Sequence, residues 1–242
     1  YGNGVYAHES YFKAPIDKGT DAIVLFVIIP LFTATLFLYQ KNSIKIQLMH
    51  LGFLVCLLYY GTSIAFGIAY NFLFLAYIIL FSLCLFTLLL VIKYINFEKI
   101  QSSLSNKTPK KGLIIFLILA GLSVFVWFIE IINSLKTGNL PSVIGINTTE
   151  VTFVIDIGII APAAFISAML VSKRSVYGYV IAISLLTLNA MIGLIVFTQS
   201  IFQYKFGIVL KITEFIPYVS VFVLMSLFAI YFDIKILKSI KK

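Results

Sequence analysis

The chain has 242 residues, of which 61% are hydrophobic and only 11% are charged, and its mean hydropathy is +1.08. Soluble domains are close to half apolar and a quarter charged, so this composition excludes an ordinary soluble fold and indicates a chain embedded in lipid. The net charge of +9 would fit a nucleic-acid-binding protein only if the basic residues formed one soluble face; they lie instead in short loops between apolar runs, so we expect no nucleic-acid partner.

Seven apolar stretches are each long enough to cross the hydrocarbon core as a helix, which takes about 20 residues. They follow an outer N-terminal segment, residues 1–21, and together form a transmembrane domain, residues 22–242; the stretches are approximately 22–39, 48–69, 72–92, 113–134, 151–172, 176–200 and 215–234. The second and third are divided at Tyr70-Asn71, because the charge-free run there is too long for one helix. Their uninterrupted apolar character lacks the alternation of barrel strands, so we predict an all-α polytopic bundle of seven transmembrane helices.

Basic residues are concentrated on one side of this predicted bundle. Thirteen of the eighteen belong to that side: Lys41, Lys45, Lys93, Lys99, Lys107, Lys110, Lys111, Lys173, Arg174, Lys235, Lys238, Lys241 and Lys242. Positively charged loops stay in the cytoplasm, so the N-terminus is predicted outside and the C-terminus inside. We also expect the basic inner rim to contact anionic lipid headgroups.

Acidic residues have the opposite distribution. Only Glu98 and Asp233 are predicted inside, whereas seven of the nine acids lie outside or near the outer edge: Glu9, Asp17, Asp21, Glu130, Glu150, Asp156 and Glu214. The positive-inside rule does not sort acids, so this asymmetry is independent information. It indicates that any functional surface faces outward.

Asp156 is the most informative of these acids, because it lies inside the fifth predicted span, where a charged side chain costs roughly 2.5 kcal/mol or more at full depth. Thr152 lies four residues earlier and shares its helix face. Pro162 follows and would free a backbone carbonyl nearby. Two interpretations remain open: an interior site for a cation, a proton or a substrate, or an interfacial aspartate that reaches water or pairs with Lys136 or Lys211.

Two further acids are candidates for the same site. Glu130 lies near the outer end of the fourth span and could approach Asp156, since consecutive helices are antiparallel; two carboxylates in one site suit proton-coupled transport or acid–base chemistry. The alternative is a glutamate at headgroup level. Asp21 opens the first span, where an aspartate is often only a helix N-cap.

A stripe of small and polar residues runs along one face of the second span. It consists of Cys56, Tyr60, Ser63, Gly67 and Tyr70, spaced alternately four and three residues apart. Small residues allow close helix approach and hydroxyl groups bond across helix interfaces, so the stripe is either a packing surface or the wall of a cavity.

Metal and cofactor sites are not indicated. The histidines, His8 and His50, are predicted on opposite sides of the membrane, and no ligand spacing accompanies them. Cys56 and Cys84 fall inside apolar runs, where they act as small hydrophobic residues. No phosphate-binding loop or hydrolase nucleophile motif is present in the sequence.

Four stretches together resemble a family of uncharacterised bacterial multi-pass membrane proteins. They are Gly4-Val5-Tyr6-Ala7-His8-Glu9-Ser10, Gly19-Thr20-Asp21 running to Pro30, Ala65-Phe66-Gly67-Ile68-Ala69-Tyr70-Asn71, and Thr148-Thr149 running to Asp156-Ile157-Gly158-Ile159-Ile160-Ala161-Pro162. The resemblance implies a bacterial inner membrane as the location. It implies no activity.

The leading functional hypothesis is a small-solute or ion transporter, or a sensor-like binding protein, with an outward-facing polar pocket. The predicted site residues are Asp21, Glu130, Thr152 and Asp156, with Asn71 and the N-terminal segment as a lid. One alternative is an intramembrane enzyme that uses these carboxylates as acid and base on lipid. Another is a structural or accessory membrane subunit without a site.

Overall fold

The structure is a computed structural model, and it describes residues 4–39, 43–141, 144, 147–209 and 212–240. The described residues form helices joined by short loops. The helices are α1 (Lys13–Tyr39), α2 (Ile44–Gly67), α3 (Phe74–Tyr94), the short α4 (Phe97–Ser103), α5 (Lys111–Thr137), α6 (Val151–Ser172), α7 (Val176–Lys205), and α8, made of the consecutive elements Ile212–Phe215, Ile216–Ser220 and Val221–Ser239.

Six of the helices in the described part of the chain are long and apolar enough to cross a membrane: α1, α2, α3, α5, α6 and α7. They correspond to the first six predicted spans. The seventh predicted span corresponds to α8, which is not among the six and has Asp233, Lys235 and Lys238 near its end. The break between the second and third spans falls at the predicted place, since α2 ends at Gly67 and α3 begins at Phe74.

The outer surface of the helices is strongly apolar. Phe26, Phe37 and Leu83 are 74%, 73% and 62% exposed, and many other large apolar side chains are exposed in the same way. Each square ångström of apolar surface costs about 25 cal/mol in water, and soluble monomers rarely expose large contiguous patches of it. Together with the six long apolar helices, this surface identifies a membrane-embedded protein.

Helix α7 is the centre of the bundle, and it packs against α1, α2, α6 and α8. Its side chains Ala182, Ile183 and Leu186 are almost completely buried. The contact with α8 is especially close: a Cβ atom added to Gly193 would lie 2.2 Å from the Cβ atom of Ser226. The Ser226 hydroxyl donates to the Ala190 carbonyl at 2.7 Å. The glycine on α7 and the hydroxyl group on α8 thus allow the two helices to pack closely.

The first turns of α1 are held against α7 in a similar way. A Cβ atom on Gly19 would lie 2.6 Å from the Cα atom of Gln199, so only glycine allows this approach. The Gln199 amide donates to the Thr20 hydroxyl at 2.8 Å across the same contact. Because Asp17 and Asp21 flank Gly19 and Thr20 along α1, this contact sets the position of both carboxylates.

Prolines accompany widened turns in two helices. In α1 the segment Val24–Ile28 forms a π-helical turn just before Pro30, and in α6 the segment Asp156–Ile160 does the same just before Pro162. Proline clashes with the carbonyl four residues earlier, and a π-turn removes this clash by adding a residue to the turn. Asp156 therefore begins a widened turn.

Candidate functional site

A cavity of about 510 Å³ lies among α1, α2, α5, α6, α7 and α8. Its charged lining residues come from helix ends that the charge pattern places outside: Lys13, Asp17, Asp21, Glu130, Glu150 and Asp156. The wall formed by α7 and α8 is largely apolar and includes Leu188, Met191, Ile192, Ile195 and Phe222. The cavity thus has one charged wall and one apolar wall.

Four of the five predicted site residues, Asp21, Glu130, Thr152 and Asp156, line this one cavity. The fifth, Asn71, does not. Its side chain completes the turn between α2 and α3: the amide nitrogen donates to the Ala69 carbonyl at 3.2 Å, and the amide oxygen accepts the Leu73 backbone N–H at 2.9 Å. This bonding is typical of asparagine in turns, and it gives Asn71 a structural role in the turn between α2 and α3.

Asp156 is buried and accepts two hydrogen bonds from uncharged donors. The Tyr59 hydroxyl donates to one carboxylate oxygen and the Trp127 indole N–H donates to the other, both at 2.9 Å. Trp127 is held in place by stacking on Phe153 and Phe222, with ring centroids 5.2 Å and 6.0 Å away. Pairing with Lys136 is not observed, and Lys211 lies outside the described residues.

Asp21 has a similar arrangement with two tyrosines. The hydroxyl groups of Tyr6 and Tyr60 donate to its two oxygens at 2.5 Å and 2.7 Å. Burial, and then the hydrogen bond to Asp21, raise the pKa of the Tyr6 phenol well above its usual range, so Tyr6 is a neutral donor at physiological pH. The interpretation of Asp21 as a helix N-cap is wrong, because α1 begins at Lys13 and Asp21 lies inside it.

Lys13 and Glu150 form a buried ion pair that the sequence analysis did not anticipate. The Lys13 ammonium lies 3.3 Å from a Glu150 carboxylate oxygen and donates to the Gly67 carbonyl at 2.8 Å. The other Glu150 oxygen accepts the Thr152 hydroxyl at 2.8 Å. Thr152 therefore supports Glu150, and the pair joins the beginnings of α1 and α6 to the end of α2.

Asp17 is a second cavity residue to which the sequence analysis gave no role. It lies one turn before Asp21 on the same face of α1, and both residues line the cavity. Its Oδ2 atom is buried and has no hydrogen-bond partner among the described residues. The signal that could have identified it is this spacing of four residues between two acids.

The polar stripe of α2 forms part of the cavity wall. Cys56, Tyr60, Ser63 and Gly67 all line the cavity, whereas Tyr70 lies beyond the end of the helix and is 74% exposed. The sequence analysis left open whether this stripe is a packing surface or a cavity wall. Its first four residues are observed in the cavity wall.

The N-terminal segment connects three helix ends around the cavity. Glu9 accepts the backbone N–H of Ala69 at 2.5 Å, and the Tyr11 hydroxyl donates to the Phe206 carbonyl at the end of α7. The Lys18 ammonium lies 5.2 Å and 4.7 Å from the ring centroids of Tyr6 and Phe206. These contacts, with the bond from Tyr6 to Asp21, fasten the segment to α1, to the α2–α3 turn and to α7.

Asp233 is a buried carboxylate outside the cavity. It lies in α8 and accepts the Thr187 hydroxyl of α7 at 3.1 Å through Oδ2. Its Oδ1 atom is buried and has no hydrogen-bond partner in the part of the chain that the structure describes. Glu214, which the sequence analysis predicted on the outer side, has a side chain that lies outside the described part of the structure.

Comparison of the chain with protein-family models, curated proteins and solved structures found no match. The bacterial family resemblance therefore stays an expectation, and a functional proposal has to rest on the geometry of the cavity.

Proposed function

We propose that this protein is a seven-span membrane protein that receives a small solute from the outer side, as a binding protein or transporter. The observation that carries this proposal is the cavity itself, where five carboxyl groups from α1, α5 and the start of α6 and one buried lysine surround about 510 Å³ of space beside an apolar wall. Binding sites for small molecules are concave and mostly apolar, with a few convergent polar groups, and this cavity has that composition.

The proposed orientation is N-terminus outside and C-terminus inside, with α8 as the seventh span. Thirteen of the eighteen basic residues belong to the proposed inner side, including Lys235 and Lys238 at the end of α8. The charged cavity residues lie at the opposite helix ends, so the cavity opens outward in this orientation. The bacterial inner membrane is the proposed location, in agreement with the family resemblance.

The topology can be tested with cysteines at exposed loop positions. In intact cells, a membrane-impermeant maleimide should label Lys136→Cys, and it should label Lys107→Cys only after permeabilisation. Both residues are exposed, and the native Cys56 and Cys84 are buried, so background labelling should be low. Labelling of Lys107→Cys in intact cells would contradict the orientation.

Binding can be tested by native mass spectrometry of the protein purified in mild detergent. The wild type should carry a small co-purifying molecule, and Asp156→Asn should lose most of it, because the amide changes the charge and donor pattern of the cavity wall. Glu98→Gln is the matched control, since Glu98 is an exposed carboxylate on α4 outside the cavity. Identical small-molecule profiles in wild type and Asp156→Asn would count against the proposal.

A further inference from the structure

We propose that the solute is an amphipathic organic cation, an amine whose ammonium group binds Asp17 and whose apolar body lies against α7 and α8. This inference rests on the proposed function and specifies the chemical class of the ligand. It follows from the charge of the cavity, from the bonding of Asp17 and from the apolar wall.

The cavity lining has many more acidic groups than basic groups. It contains one lysine and five acids: Asp17, Asp21, Glu130, Glu150 and Asp156. The lysine, Lys13, is paired with Glu150. The described hydrogen bonds to Asp21 and Asp156 come from tyrosine hydroxyl groups and an indole N–H, which stabilise a carboxylate without neutralising it. A cavity with this excess of negative charge favours a cationic solute over a neutral or anionic one.

Asp17 identifies where the positive charge would bind. Asp17 lines the cavity, and its Oδ2 atom is buried and has no hydrogen-bond partner among the described residues. Buried carboxylate oxygens are normally paired, because removal from water without a compensating bond is costly. An ammonium group supplies both the missing donors and the opposite charge, and it can reach Asp21 one turn further along α1.

The opposite wall indicates an organic rather than an inorganic cation. Leu188, Met191, Ile192 and Ile195 of α7 and Phe222 of α8 form an apolar stretch of this wall, and the side-chain oxygens of α7 that line the cavity belong to the later residues Gln199, Ser200 and Gln203. A metal ion needs several convergent ligands, and no group of three or more His, Cys, Asp or Glu side chains among the described residues is placed to hold one. An aliphatic or cyclic body of the solute would instead be buried against this wall.

The sole tryptophan of the chain, Trp127, lines the cavity and provides an internal fluorescence reporter. Purified protein should be titrated with three probes that share one apolar ring and differ in charge: cyclohexylmethylamine, cyclohexylmethanol and cyclohexanecarboxylate. We expect a saturable change with the amine, at least about ten-fold tighter than with the alcohol, because hydrogen bonds to charged groups are strong. The carboxylate should bind weakest.

Variants of Asp17 test whether the preference for the amine over the alcohol depends on this carboxylate. Asp17→Asn should remove the preference for the amine over the alcohol, whereas Asp17→Glu should retain much of it, which separates loss of charge from misfolding. Glu98→Gln, the exposed control, should behave as the wild type. An amine preference that survives in Asp17→Asn would overturn the assignment to Asp17.

The remaining outcomes separate the ligand class from the proposed function. If the alcohol binds as tightly as the amine, Asp17 is a protonated residue of a site for neutral solutes, and the cation proposal is wrong while solute binding stands. If no probe binds but a co-purifying molecule is found, its charge decides: a cation supports the proposal and an anion or neutral molecule overturns it. If no probe binds and no co-purifying molecule is found, both the cation proposal and the proposed function are wrong.

Discussion

In the proposed orientation, the outer and inner halves of the bundle both bury carboxylates, but they surround them differently. In the outer half, Asp21 and Asp156 each accept two hydrogen bonds and face a cavity. In the inner half, Asp233 accepts one bond from Thr187, and its second oxygen is enclosed in the packed contact between α7 and α8. A buried acid therefore does not by itself define a site; convergent donors and accessible space distinguish the outer group.

The two halves also differ in how charge is balanced. The outer half contains the buried pair of Lys13 and Glu150, which ties three helices together. A buried pair is costly to break, because removal of one partner leaves an uncompensated charge. Substitutions in the outer half should therefore have larger effects on stability than substitution of Asp233.

The largest effect is expected for Lys13→Ala. It leaves Glu150 buried without its cation, so the free energy of unfolding should fall by about 3–5 kcal/mol. Unfolding of the purified protein in a denaturing detergent series would measure the change. Combining Lys13→Met with Glu150→Leu should restore most of the loss, since apolar residues of similar volume replace both charges. Equal losses in the single and double variants would show that the ion pair is not the cause.

A smaller loss is expected for Asp156→Asn. The amide oxygen can accept from either Tyr59 or Trp127, but the amide N–H group then faces a donor, so one polar group is left unsatisfied. The expected cost is about 1–3 kcal/mol. The change of Trp127 fluorescence during unfolding gives a readout local to this bond. The double variant with Tyr59→Phe should cost less than the sum of the two single changes, because the two residues share one hydrogen bond.

Loss of one tyrosine donor to Asp21 should have a milder effect. Tyr6→Phe removes the donor that the N-terminal segment supplies, and we expect a cost of about 0.5–1.5 kcal/mol, since Tyr60 still donates to the same carboxylate. Amide hydrogen exchange should also become faster at Ala69, whose N–H bonds to Glu9 of the same segment. Unchanged exchange there would indicate that the segment is held independently of Tyr6.

The smallest effect is expected for Asp233→Asn. Asparagine keeps an acceptor for the Thr187 hydroxyl and places no charge in this buried contact, so stability should change by less than about 1 kcal/mol. The same unfolding assay measures it beside Asp156→Asn, which is the identical chemical change in the outer half. A larger loss at Asp233 than at Asp156 would reverse the comparison between the two halves.

The sequence analysis missed two cavity residues, Lys13 and Asp17, for the same reason. Lys13 and Asp17 were assigned to an outer segment, because counting apolar runs identifies only the apolar part of a helix. The structure shows that α1 begins at Lys13, and that Lys13 and Asp17 line the cavity while Gly19 packs on α7. A helix turn shielded from lipid by its neighbours has no need to be apolar, so its polarity resembles that of a loop in the sequence.

Asp156, Glu130 and Asp21 were predicted for a different reason. A carboxylate within or beside a long apolar run is costly in lipid, and this cost is visible without knowledge of neighbouring residues. The partners of these acids were not predictable, because Tyr59 and Tyr60 are adjacent in α2 yet donate to different carboxylates on different helices. Which helix each tyrosine faces depends on the rotation of α2 within the bundle.

The sequence alone determined that this chain is helical and membrane-embedded, where six of its apolar helices lie, and that most of its acids gather at one end. Those properties follow from local hydrophobicity and from the length of a helix in a bilayer. Only the tertiary structure decided that four of the predicted residues share one cavity, that Asn71 belongs to a turn, and that Lys13, Asp17 and Glu150 complete the charged wall. The physical reason is that rotation and depth of each helix are set by close contacts such as Gly19 with Gln199 and Gly193 with Ser226, which join residues far apart in the chain.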